Sequence, residues 1–87
     1  MKLLLAIIRD RDDVSVSDAL SQANVRVTRI ASTGGFLRRG NVTLLIGVED
    51  DRVQSVFDLV KGACGEPEPG QHRATVFVLK AEQFEQV

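Results

Sequence analysis

The chain is predicted to fold as an α+β domain: a four-stranded antiparallel sheet with two helices on one face. Three observations predict it. Four short runs are filled with, or alternate in, β-branched and apolar residues, the signature of strands. Two further stretches repeat apolar residues at i, i+3, i+4 and i+7, the signature of amphipathic helices. These six segments follow one another as β-α-β-β-α-β within 87 residues, 44% of them hydrophobic and 26% charged.

Residues 2–9 are a nearly continuous apolar run with two isoleucines, the form of a central strand buried on both faces. Residues 10–13 are a polar turn in which Asp10, Asp12 and Asp13 suit helix capping. Val16, Ala19, Leu20 and Ala23 then share one helical face, which predicts a helix over 13–23. Residues 25–31 are β-branched and alternating, with Val25 and Val27 on one face and Arg26 and Thr28 on the other. Val42, Leu44, Ile46 and Val48 alternate over four positions and predict a third strand. Asp50 and Asp51 stand where the positive end of a second helix favours carboxylates. Val53, Val56, Phe57 and Val60 form that helix's apolar stripe, and Gly62 and Gly65 are expected to stop it. Residues 65–73 carry two Pro and two Gly and read as a turn. Residues 74–79 form the last strand, followed by a short tail.

This order is the ferredoxin-like split βαβ arrangement, and residues 1–87 are expected to form one domain. In that fold one sheet face is left open. Here the strands at 3–8 and 74–79 are apolar on both sides. Buried apolar surface is worth about 25 cal/mol per Å², so an exposed patch of this kind drives association. A closed cyclic oligomer is expected.

The net charge of −1 conceals an asymmetry. Residues 1–40 carry seven basic and four acidic side chains; residues 41–87 carry four basic and eight acidic. No broad basic field exists for a nucleic-acid polymer or an anionic membrane, and no Trp or Tyr offers a stacking platform. The apolar run at 3–8 is too short to span a membrane, and no signal-peptide pattern follows it. A single cysteine, Cys64, excludes an intramolecular disulfide and reads as a small buried residue at a helix end. A soluble, cytoplasmic protein without membrane insertion is expected.

Catalysis is not expected. The only histidine, His72, lies in the Pro/Gly turn with no nucleophile or carboxylate arrangement around it. The acidic groups Asp10, Asp12, Asp13 and Glu49, Asp50, Asp51 read as helix caps, and no metal-ligand spacing occurs. Hence no catalytic residue, no metal and no cofactor are assigned.

The stretch STGGFLRRGN at 32–41 is the most informative of the chain. It joins two strands and places Phe36 and Leu37 at a turn, where exposed apolar side chains gain nothing for the fold. Gly34 and Gly35 let a ligand approach the backbone closely, and successive amides in such a turn form a concave anion site. Arg38 and Arg39 follow, and read equally as solvated arginines. Apolar faces, exposed amides and guanidinium groups together suit a nucleotide. Gly47 in mid-strand marks either a bulge or a close approach. Phe77 reads as core, as ligand contact, or as both.

These residues resemble the PII-like cyclic-di-AMP receptors, small trimeric signal proteins of bacteria. The resemblance rests on MKLLLAIIRDRD at the start, Arg26-x-Thr28, TGGFLR-GN ending at Asn41, Gly47-x-x-Asp50-Asp51-Arg52-Val53, Ala74-Thr75-Val76-Phe77-Val78, and Phe84-x-Gln86. It covers about four-fifths of the chain. It implies a homotrimer that binds cyclic-di-AMP between neighbouring subunits and acts on a downstream protein. Arg26 and Thr28 would address phosphate. Gly35, Phe36 and Leu37 would close over a base, Asn41 and Gly47 would meet an adenine edge, and Phe77 and Gln86 would come from the last strand and tail. The chemistry of the residue types agrees: Asn matches an adenine edge with paired donor and acceptor, and Arg gives a phosphate two parallel donors. The chain departs from that family in one place, where residues 66–73 replace a longer excursion. Two other readings accompany this one: a PII-like trimer binding ATP or AMP instead, and a ligand-free interaction protein acting through the GGFL loop.

Overall fold

The computed structural model describes residues 1–32, 40–70 and 72–81. The chain runs through β1 (Lys2–Arg9), a 3-10 turn (Asp10–Asp12), α1 (Asp13–Gln22), β2 (Arg26–Ser32), β3 (Asn41–Val48), a second 3-10 turn (Asp50–Arg52), α2 (Val53–Ala63) and β4 (Ala74–Lys80). The four strands form one sheet in the order β2-β3-β1-β4, with every neighbouring pair antiparallel. This is the predicted α+β, ferredoxin-like layout.

The core lies between one sheet face and the two helices. Leu4, Ala6 and Ile8 of β1 and Val42, Leu44, Ile46 and Val48 of β3 alternate inward. Val16 and Leu20 of α1 and Val56 and Val60 of α2 close over them, all in one buried cluster. The alternate residues Leu3, Leu5, Ile7 and Leu45 point to the opposite face and are only partly buried. Edge strand β4 leaves large apolar side chains in the open: Phe77, Val78 and Leu79 are 51%, 45% and 49% exposed.

Helix ends differ from expectation in three places. Asp10, Asp12 and Asp13 were expected to cap α1 and Glu49, Asp50 and Asp51 to cap α2, yet no side chain caps either helix or either 3-10 turn. Each chain segment enters its helix through a 3-10 turn, and three of the six carboxylates, Asp12, Asp13 and Asp50, pair elsewhere. Asp13 accepts from Ser17 Oγ at 3.2 Å and from the Arg29 guanidinium; Asp50 pairs with the Met1 amino group at 2.9 Å. Second, Gly62 does not stop α2, which continues to Ala63, with Cys64 as its extended C-cap. Third, α1 ends in a Schellman motif that composition did not reveal. The Asn24 N–H donates to Ser21 O at 3.0 Å and the Val25 N–H to Leu20 O at 2.9 Å, with Asn24 left-handed at φ 59°. The accompanying apolar contact comes from buried Val25 and Leu20.

A bulge interrupts β2: Arg29 pairs with Leu44, and Ala31 with Thr43, leaving Ile30 unpaired. Before the bulge, Arg26 and Thr28 share the register and face of Gly47 and Leu45. Arg29 lies on the helix side, where it meets Asp13.

Candidate functional site

The uncovered sheet face is laid out by strand register in rows. One row runs Arg26, Gly47, Leu3, Leu79 across β2, β3, β1 and β4; the next runs Thr28, Leu45, Leu5, Phe77. A third runs Ala31, Thr43, Ile7, Thr75. Four of the nine candidate residues, Arg26, Thr28, Gly47 and Phe77, therefore stand on one face. Asn41 shares its parity at the start of β3, opposite Arg9 of β1. Gly35, Phe36, Leu37 and Gln86 lie outside the described residues.

Within that face the candidates are spread. Arg26 and Gly47 are direct cross-strand partners, so a guanidinium stands beside a backbone with no side chain of its own. Thr28 and Phe77 share a row but are three strands apart, about 14 Å at ordinary strand spacing. Asn41 and Gly47 are six residues apart on β3, about 20 Å. A single chain thus cannot bring Asn41 and Gly47 to one adenine edge, nor set Phe77 directly beside a phosphate held by Thr28. Those groups converge on a single ligand only if it spans the face or if neighbouring copies contribute them.

Gly47 is not demanded by its own fold. A Cβ placed there would meet only the terminal methyl of Met1, at 3.4 Å, an ordinary contact with a flexible group. Arg26 and Thr28 are exposed, and Phe77 belongs to the open face rather than to the helix-covered core. Phe77 is therefore not a core residue of the single chain.

A pronounced concavity lies elsewhere. A cleft of about 410 Å³ between α2 and the start of β4 is lined by Phe57, Val60, Cys64, His72, Arg73 and Val76, among others. None of the five described candidate residues lines it. Burial, with the nearby Asp12 carboxylate, pushes the Cys64 thiol above its ordinary value. His72 is exposed, as expected of a turn residue. Among the described residues no cluster of His, Cys, Asp and Glu could hold a metal ion, and no helix is long and apolar enough to cross a membrane.

Sequence reading missed one polar cluster that borders Asn41. Arg9 Nε pairs with Asp12 Oδ2 at 2.7 Å, and the other Asp12 oxygen accepts from the Gly65 N–H at 3.0 Å. Asp12 is only 4% exposed. The sole sequence signal was the i, i+3 spacing of Arg9 and Asp12 at the end of a buried strand, which capping explained equally well.

The family model of the cyclic-di-AMP receptor matches residues 1–69. The chain belongs to the cyclic-di-AMP receptor family. The match takes in β1 through α2 and stops inside the connection that precedes β4. Among solved structures, the chain is similar to a functionally unknown protein from Pediococcus pentosaceus ATCC 25745. The two are 40% identical, the alignment covers 99% of this chain and 96% of that one, and the TM-score is 0.80. That relative is thus nearly coextensive with this chain, connection included.

Proposed function

We propose that this member of the cyclic-di-AMP receptor family is a PII-like signal protein that holds cyclic-di-AMP at the subunit interfaces of a homotrimer. The observation that carries the reading is the uncovered sheet face. It collects Arg26, Thr28, Gly47 and Phe77 on one side, yet spaces them too widely for one chain to enclose a nucleotide. Apposing copies of the face would bury its apolar centre and bring groups from two chains to one ligand. Arg26 and Thr28 take phosphate, with the bare backbone of Gly47 allowing close approach. Asn41 reads an adenine edge, the loop bearing Gly35, Phe36 and Leu37 closes over a base, and Phe77 and Gln86 complete the wall from the neighbouring copy. The protein acts by binding rather than catalysis, in the cytoplasm, and passes its state to a downstream protein.

Isothermal titration with cyclic-di-AMP tests the reading, with cyclic-di-GMP, ATP and AMP as competitors. Saturable binding of one cyclic-di-AMP per chain, with the others weaker, is expected. Preference for ATP or AMP would move the ligand assignment within the nucleotide class. No heat and no thermal shift with any of the four would overturn ligand binding, since a site filled at 100 times its Kd stabilises by about 2.7 kcal/mol.

A further inference from the structure

We propose that the cleft between α2 and the start of β4 binds a small amphipathic carboxylate, an apolar body with one anionic head. The cleft follows from how two short helices cover four strands. Along β4, Ala74, Val76 and Val78 pair with Ile8, Ala6 and Leu4, which places them on the helix side of the sheet. Their three β1 partners are fully buried, yet Val76 is only partly buried and Val78 is 45% exposed. The helices close over β1 and leave that side of β4 partly open. The gap is a cavity of about 410 Å³, within the range of about 300–1,000 Å³ usual for small-molecule sites.

The two walls are apolar. Phe57 and Val60 come from α2, spaced so that they share one helical face, and Val76 lines the other side on β4. The polar lining is cationic or neutral: Lys61 from α2, and His72 and Arg73 from the turn before β4. Among the described residues no carboxylate lines the cleft, and Asp12, whose charge is felt at Cys64, is paired with Arg9. The carbonyls just past α2 are already met. Arg9 and Arg11 donate to those of Gly65 and Glu66, and Arg73 reaches the Gly65 carbonyl at 3.5 Å. Lys61 and His72 have no hydrogen-bond or ion-pair partner among the described residues.

An exposed lysine on its own is a solvated charge. Here it stands with an arginine and an imidazole around an apolar cleft, and that combination complements one class of occupant. The body of the ligand lies between Phe57 and Val76, and its carboxylate lies among Lys61, His72 and Arg73, where an arginine can offer it two parallel donors. A neutral apolar molecule leaves the cations unused, and a cation is repelled by them. Arg26, Thr28, Gly47 and Phe77 stand on the opposite face of the sheet, so this site is separate from the one proposed for the nucleotide.

Sodium octanoate is the probe, with octanol and octylamine as neutral and cationic molecules of the same length. Each is titrated into the full chain and followed by residue-resolved chemical shifts. Octanoate should bind saturably and move the resonances of Phe57, Val60, Cys64 and Val76, with octanol several-fold weaker and octylamine weaker still. Lys61 is exposed, so Lys61→Glu should fold and should weaken octanoate binding by about fivefold, the scale of an exposed charge pair. Saturable shifts centred on Phe77 and Leu79 instead would put the amphiphile on the open sheet face and overturn the proposal. Octanol binding as tightly as octanoate, unchanged affinity in Lys61→Glu, or no saturation with any of the three would overturn it as well. Should Lys61→Glu fail to fold, alkylation of Cys64 by iodoacetamide in the wild type replaces it. Octanoate should slow that reaction several-fold and octanol much less; equal slowing by both, or none by either, overturns the site.

Discussion

Arg26 and Gly47 are cross-strand neighbours on the face turned away from the helices, and Arg26 is exposed. An exposed guanidinium beside a bare backbone suits a ligand that brings a phosphate against β3. Arg26→Ala should weaken cyclic-di-AMP binding by about 1.5–3 kcal/mol, the scale of hydrogen bonds to a charged group. The melting temperature of the ligand-free protein should stay where it is. An Arg26→Ala variant that unfolds without ligand would make this residue structural and remove it from the site. Gly47→Ala gives the complementary test. Because Gly in a strand interior is about 0.5–1 kcal/mol worse than Ala, and the added methyl meets only the end of Met1, the ligand-free protein should melt unchanged or slightly higher. Titration should show weaker binding. Unchanged affinity would reduce Gly47 to a neutral position. Alternation alone put Arg26 and Thr28 on one face, and the structure agrees. That a Cβ at Gly47 would meet only the end of Met1 could not be read from sequence, because it depends on how the chain's first residue lies against β3.

The elements were legible wherever a period was present, and their ends were not. β3 follows from four alternating apolar positions and α2 from its stripe of Val53, Val56, Phe57 and Val60. The acidic turns looked like caps because Asp and Asn commonly cap helices; here tertiary partners outcompeted the local backbone. Asp12 is fixed by Arg9 and by Gly65, 53 residues away, a contact no local pattern encodes. The end of α1 was legible in principle, since Asn followed by Val after a helix is a Schellman signal. Asn24 at φ 59° predicts that Asn24→Gly is neutral to stabilising, whereas Asn24→Val costs about 1–2 kcal/mol by denaturant unfolding. Equal stability of the two variants would contradict the motif. At the end of α2, burial raises the Cys64 thiol, and the sign of the pH effect follows. Below the unfolded-state value of about 8.5 both states keep the proton and stability is unaffected. Above it the unfolded chain ionises first, so stability falls with rising pH until the folded thiol also ionises. Cys64→Ala should flatten this alkaline limb in a pH series of melts; an identical limb in the variant would show that other groups produce it.

For the whole molecule, the open face is the feature from which assembly is predicted. Leu3, Leu5, Leu45, Phe77 and Leu79 lie together on it by register, and edge strand β4 also leaves Val78 half exposed. The sequence disclosed this surface as two-sided apolar strands; it did not disclose how far apart the ligand groups stand. The separations of about 14 and 20 Å follow from strand order and register, and strand order is set by the crossover of α1 and α2, not by any one segment. Those distances make assembly and binding a single prediction. Light scattering at micromolar concentration should return three times the chain mass, the cyclic trimer that the family resemblance implies. Phe77→Glu places a charge among the apolar side chains of the open face, on edge strand β4, while touching little of the helix-covered core, because Phe77 is half exposed in the single chain. It should therefore give a folded monomer, with a wild-type circular dichroism spectrum, that no longer binds cyclic-di-AMP. A wild-type protein that is monomeric and still binds would remove the interface pocket and require one chain to enclose the ligand. A Phe77→Glu variant that remains trimeric and binds would place the interface on another surface, leaving the apolar centre of the sheet without an occupant.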